Sequence, residues 1–139
     1  MERFRSRGRP AVSGGLATLA LVVVLAAGCH GTGSREFWQG ITTGSVGDCA
    51  PLSFNISIDE GRILGYAVSE LPQQGVVSWD VSGSVTSDDH VTIETITQDP
   101  RIRQQRVAWT GTWKPLSIPL VQTSPGPCQP PRSGSLSRP

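Results

Sequence analysis

The chain has 139 residues, twelve basic and eleven acidic, with a formal net charge of +1 and 17% charged against 37% hydrophobic residues. That length is one ordinary domain, and a near-neutral balance argues against a nucleic-acid binder. Eleven arginines against the single Lys114, with the high glycine and proline content, read as coding bias and carry little functional information.

The first element is MERFRSRGRP, with Arg3, Arg5, Arg7 and Arg9, leading to an apolar run from Leu16 to Ala27 broken only by Thr18. A charged segment followed by an apolar one is the layout of an export signal. As a helix the run reaches only about 18 Å, short of the ~30 Å hydrocarbon core, so a signal is expected rather than a permanent span. The arginines alternate with other residues, which disfavours a twin-arginine signal. The run ends in LAAGC, Leu25 to Cys29, which resembles the lipobox of bacterial lipoproteins, with Ala26 where Leu, Val or Ile is usual. The resemblance implies diacylglycerol on the Cys29 sulfur, removal of residues 1–28, and anchoring outside the cytoplasm. The alternative is an unlipidated signal with a cysteine at its border. His30, where that family places Asp for inner-membrane retention, implies the outer membrane if two membranes are present.

Residues 29–35 read as a flexible tether, because His30 to Ser34 are small and polar apart from the histidine. Without residues 1–28, eight basic side chains face ten acidic ones. The two remaining cysteines, Cys49 and Cys128, are an even pair in an oxidising compartment and flank the patterned region, so a disulfide is expected. Metal binding is the lesser alternative, since neither cysteine has a CxxC or His-rich neighbourhood.

From Pro51 onward the apolar residues recur with period two. Upstream, REFWQGITTGSV gives a first strand. LSFNISI puts Leu52, Phe54, Ile56 and Ile58 on one face, and the turn at Asp59 to Gly61 returns the chain as RILGYAV. GVVSWDVSGSV aligns Val77, Trp79, Val81 and Val85; HVTIETIT follows, and RQQRVAWTGTW places Val107, Trp109 and Trp113 together across Gly111. KPLSIPLVQTS supplies one edge strand at most, because seven prolines lie between Pro115 and Pro139. The expected fold is all-β: a single antiparallel meander of about six to eight strands over 36–128, curled into a small or incomplete barrel. Residues 129–139 are expected to form a disordered Pro/Ser-rich tail. FWQG, DEGRILG and WTGTW, with a disulfide joining the ends, resemble small avidin-like or lipocalin-like barrels of exported bacterial proteins.

Few residues promise chemistry. His90 follows Asp88 and Asp89 in SDDH, where paired aspartates suit a hairpin turn as well as a site. There is no GxSxG, HExxH or phosphate loop, and no thiol is left over once Cys29, Cys49 and Cys128 are assigned. Asn55 opens an NIS sequon that its strand position already explains. No enzyme, cofactor, metal or nucleic-acid partner is therefore expected. Tyr66, Trp79, Trp109 and Trp113 are candidate ligand-binding residues if they line a barrel mouth; otherwise they fill the core. The chain reads as an envelope binding module, anchored to the membrane by lipid, for a small apolar ligand or another envelope protein. The alternatives are an inhibitor of a lysozyme or protease, or a structural lipoprotein.

Overall fold

The computed structural model describes residues 34–123 and 128–139. The signal, Cys29, His30 and the tether through Gly33 lie outside the described residues.

Eight strands follow in chain order: β1 (Glu36–Ile41), β2 (Ser53–Asp59), β3 (Arg62–Leu71), β4 (Gly75–Val85), β5 (His90–Thr97), β6 (Arg106–Thr112), β7 (Ile118–Gln122) and β8 (Ser133–Leu136). Each pairs antiparallel with the next in one sheet, ordered as in the sequence. The meander curls until β8 returns to β1. There the two meet through isolated bridges, Gln39 to Ser137 and Thr42 to Gly134, rather than a continuous ladder. The Gln39 and Ser137 amides exchange hydrogen bonds of 2.9 and 2.8 Å with each other's carbonyls, and the Thr43 amide donates to Ser133 at 2.7 Å. The barrel is thus nearly closed, with one unsealed seam. Gly40 is required at that seam, since a Cβ there would collide with the Ser135 carbonyl.

The alternation read from the sequence sets the inside. Leu52, Phe54, Ile56 and Ile58 of the β2 segment, Ile63 and Ala67 of β3, and Val77, Trp79 and Val81 of β4 are all buried in the core. The β2–β3 hairpin turns on Glu60 and Gly61, both with positive φ of 50° and 74°, the conformation a two-residue hairpin loop needs. In β5, Thr95 and Thr97 point inward with Val91 and Ile93. Thr95 is there for a reason: its Oγ1 accepts the indole N–H of Trp109 at 3.1 Å, as Ser69 accepts that of Trp79 at 2.9 Å. Each buried tryptophan therefore fills the barrel without leaving a polar atom unpaired. Trp109 also packs edge-on against Phe54, with centroids 5.4 Å apart.

Cys49 and Cys128 form a disulfide, Cα atoms 5.4 Å apart across 79 positions of sequence. It ties the β1–β2 loop to the β7–β8 loop at one end of the barrel.

Two expectations need correction. The segment 129–139 is not a disordered tail, because Ser133–Leu136 is β8, hydrogen-bonded between β7 and β1. The prolines there flank the strand and spare its amides, and its alternation was hidden because Leu136 is its one large apolar residue. For the same reason β7 is not an edge. Its Pro119 pairs with Ser135 of β8 and lies just outside the β6 ladder, which begins at Leu120.

Candidate functional site

The four aromatic residues singled out in the sequence do not line one mouth: Trp79 and Trp109 share the core cluster, Trp113 packs against it and Tyr66 stands apart. Trp79 and Trp109 are buried in the core, and Tyr66 lies on the outer wall, 53% exposed. Trp113 is half-buried at the opposite end of β6 from the disulfide, edge-on to Trp38 at 6.5 Å.

What closes the barrel at its two ends is a pair of arginines flanking β8, which sequence reasoning missed. Arg132 is 2% exposed. Its guanidinium lies 5.3 Å from the Trp109 ring centroid and donates to Gln122 Oε1 at 2.9 Å and to the Ala50 carbonyl at 2.8 Å. Burial pushes its pKa down, opposed by the charge of Asp48, but an arginine stays charged. Arg138 closes the other end, 5.1 Å over Trp38, with Nη2 2.8 Å from Glu36 Oε1. The other oxygen of Glu36 accepts the indole N–H of Trp38 at 3.2 Å and of Trp113 at 3.3 Å. The signal for both arginines is their spacing, since positions 132, 134, 136 and 138 share one face of a strand.

The ends differ in what they present. Where β1 begins, the connections are short turns. The opposite end carries the β1–β2, β5–β6 and β7–β8 loops, the disulfide, and the tip of the β3–β4 hairpin. That hairpin extends beyond its neighbours: β2 pairs with β3 only to Val68 and β5 with β4 only to Trp79, whereas β3 and β4 pair on to Leu71 and Gly75. Arg101, in the β5–β6 loop, clamps the overhang by donating to the carbonyls of Gln74 at 2.8 Å and Val76 at 3.1 Å. Asp99 holds that guanidinium in place, accepting from Nε through both carboxylate oxygens at 2.9 and 3.1 Å. The hydrogen bonds from Arg101 pull the Asp99 carboxyl down from 3.8 to about 2. Beside the hairpin is an open groove of about 660 Å³ whose apolar lining includes Ile41, Val46, Pro51, Val68, Leu71 and Val76. Val46 and Val76 in it are 83% and 64% exposed.

The acidic turn serves the backbone. Asp88 accepts from the Thr86 hydroxyl, which lowers its pKa, and Asp89 takes a φ of 64°. Among the described residues no three His, Cys, Asp or Glu side chains are grouped to hold a metal. Asn55 faces outward on β2, between Gln39 and Tyr66.

Comparison of the chain with protein-family models, with curated proteins and with solved structures returns no match.

Proposed function

We propose that this is an exported β-barrel domain, anchored by a lipid on Cys29 to the extracytoplasmic side of a bacterial envelope membrane, that binds another envelope protein and does not catalyse a reaction. The observation that carries the reading is the opposition of the barrel's two ends. The chain coming from Cys29 reaches β1 at the short-turn end, while the clamped hairpin and its apolar groove lie at the other. The loop end is then the one remote from the point where the tether joins the barrel, and is free to meet a partner. A protein partner is favoured over a small apolar ligand because Trp79 and Trp109, which a ligand would have to stack on, are enclosed by core side chains.

Two measurements test this. Labelled palmitate should be incorporated by the wild-type chain and not by Cys29→Ser, and absence of label in both rejects the anchor. Affinity capture from envelope extract should recover a partner with the wild type that Arg101→Ala, with its hairpin unclamped, recovers poorly. Equal recovery by both places the contact elsewhere.

The rigid overhang also favours inhibition of a lysozyme or protease, since a hairpin held by Arg101 can enter a cleft without first being ordered. That reading expects the purified chain to slow such an enzyme, and Arg101→Ala to weaken the effect.

A further inference from the structure

Exposed apolar side chains also mark one outer wall, which shares Ile41 and Val68 with the loop-end groove. Phe37 and Ile41 of β1 and Leu64 and Tyr66 of β3 stand out from it, 59, 66, 46 and 53% exposed. Between these two ridges the outward residues of β2 are small and polar, Ser53, Asn55 and Ser57. Part of the resulting trough is a groove of about 340 Å³ walled by Phe37 on one side and Leu64 and Tyr66 on the other. The nine outward positions of this wall, from Phe37 to Ile41, Ser53 to Ser57 and Leu64 to Val68, carry no charge. Charge depletion with exposed aromatics is the compositional mark of the middle of a protein interface.

The cross-strand register says what fits it. Gln39, Asn55 and Tyr66 are direct partners in one row across β1, β2 and β3, and the wall is symmetric about that row. Along β1 the outward residues are apolar, Gln39, apolar; along β2 they are Ser, Asn, Ser; along β3 they are Leu64, Tyr66, Val68. Beyond these positions β3 ends in Arg62 on one side, with Asp59 of β2 opposite it and Arg35 paired to that aspartate, and in Glu70 on the other, Arg62 and Glu70 each four residues from Tyr66. Both are exposed, and neither takes part in an ion pair among the described residues.

We infer that this wall pairs with a second copy of the chain about a two-fold axis running along the row Gln39, Asn55 and Tyr66. Such an axis reverses the strands of the facing copy, so Leu64 meets the other copy's Val68, Phe37 meets its Ile41, and Arg62 meets its Glu70 twice over. That is the self-complementarity an isologous interface requires. Facing sheets stand about 10 Å apart and cross at about 30°, which confines the contact to the central strands. Asp80, next in the row on β4, marks its margin, since two copies of that carboxylate brought together would repel. Three strands by a few outward positions is less than the roughly 800 Å² per partner of a stable dimer. The pairing is therefore weak in dilute solution and forms where copies are crowded together. It rests on this wall and not on lipidation, and because Ile41 and Val68 also line the loop-end groove, a partner seated there and a second copy here compete for them.

The test is crosslinking by a short bismaleimide in cells producing the full chain with Tyr66→Cys, and with Thr112→Cys on the far wall as the reference for any reaction of Cys29. Tyr66→Cys should yield at least about tenfold more covalent homodimer. Adding Arg62→Glu to Tyr66→Cys should cut the yield by about tenfold, and adding Glu70→Arg as well should restore it, because the charges are again opposite. A single variant that merely misfolds would not be rescued. Equal dimer from both cysteine positions, no dimer from Tyr66→Cys, capture of only a different protein there, or failure of the charge swap to restore the yield overturns the inference.

Discussion

Trp79 and Arg132 show how single side chains settle this barrel. Trp79 is buried in the core and gives its one donor to Ser69. Trp79→Ala removes the packing and strands a buried hydroxyl, and is expected to cost about 3–5 kcal/mol by denaturant unfolding. Arg132 is the opposite kind of core residue, a charge admitted because Gln122 Oε1 and the Ala50 carbonyl accept its hydrogen bonds and Trp109 lies under its face. Arg132→Ala leaves the Gln122 amide and the Ala50 carbonyl without that donor, and should cost about 3 kcal/mol. The same measurement on Arg35→Ala should show almost nothing, since its partner Asp59 lies 3.6 Å away and both side chains are largely in water.

At the scale of elements, the β3–β4 overhang depends on a carboxylate. Because the folded pKa of Asp99 lies below its ordinary value, the clamp contributes fully above pH ~4 and is lost as pH falls through about 2. Amide exchange at Gln74 to Val76 should accelerate across that window relative to the barrel strands, and Asp99→Asn should accelerate it already at neutral pH. Nothing in DPR, read along the chain, distinguishes this clamp from an ordinary turn, because the groups it holds are some 25 residues away. The strands were another matter. Leu52 to Ile58 and Val77 to Val81 announce themselves, since one apolar and one polar face per strand is a local pattern. β8 has too few large residues to show one, so its existence depends on β7 and β1 being there to pair with it. The site was legible to the same extent. Which aromatics would be inside followed from alternation for Trp79 and Trp109, whereas Tyr66 shares its face with Leu64 and Val68, and the sequence does not say which face of β3 is the outer one.

For the whole molecule, the disulfide is the largest single constraint. Closing a loop of about 80 residues stabilises the fold by about 4.5 kcal/mol through the unfolded chain, a large share of what a domain this size has. Cys49→Ser with Cys128→Ser should lower the unfolding midpoint sharply while leaving the far-UV spectrum that of a β-protein. Loss of the spectrum at room temperature would mean the sheet cannot hold without the bond.

The position of β8 has a consequence for how the chain must be made. The strand that returns to β1 comes about one hundred residues after it, so the last seam requires contacts between distant parts of the sequence, which form slowly. Until Ser133 to Leu136 have arrived, β1 and β7 each present a row of unpaired backbone groups, the kind of edge on which unrelated chains add strands. A polypeptide still being synthesised is in that condition until its last residues emerge, and a chain cut before Ser133 would stay in it. Such a truncation is expected to precipitate rather than persist as a slightly smaller barrel, and a peptide of residues 129–139 supplied in trans should keep it soluble.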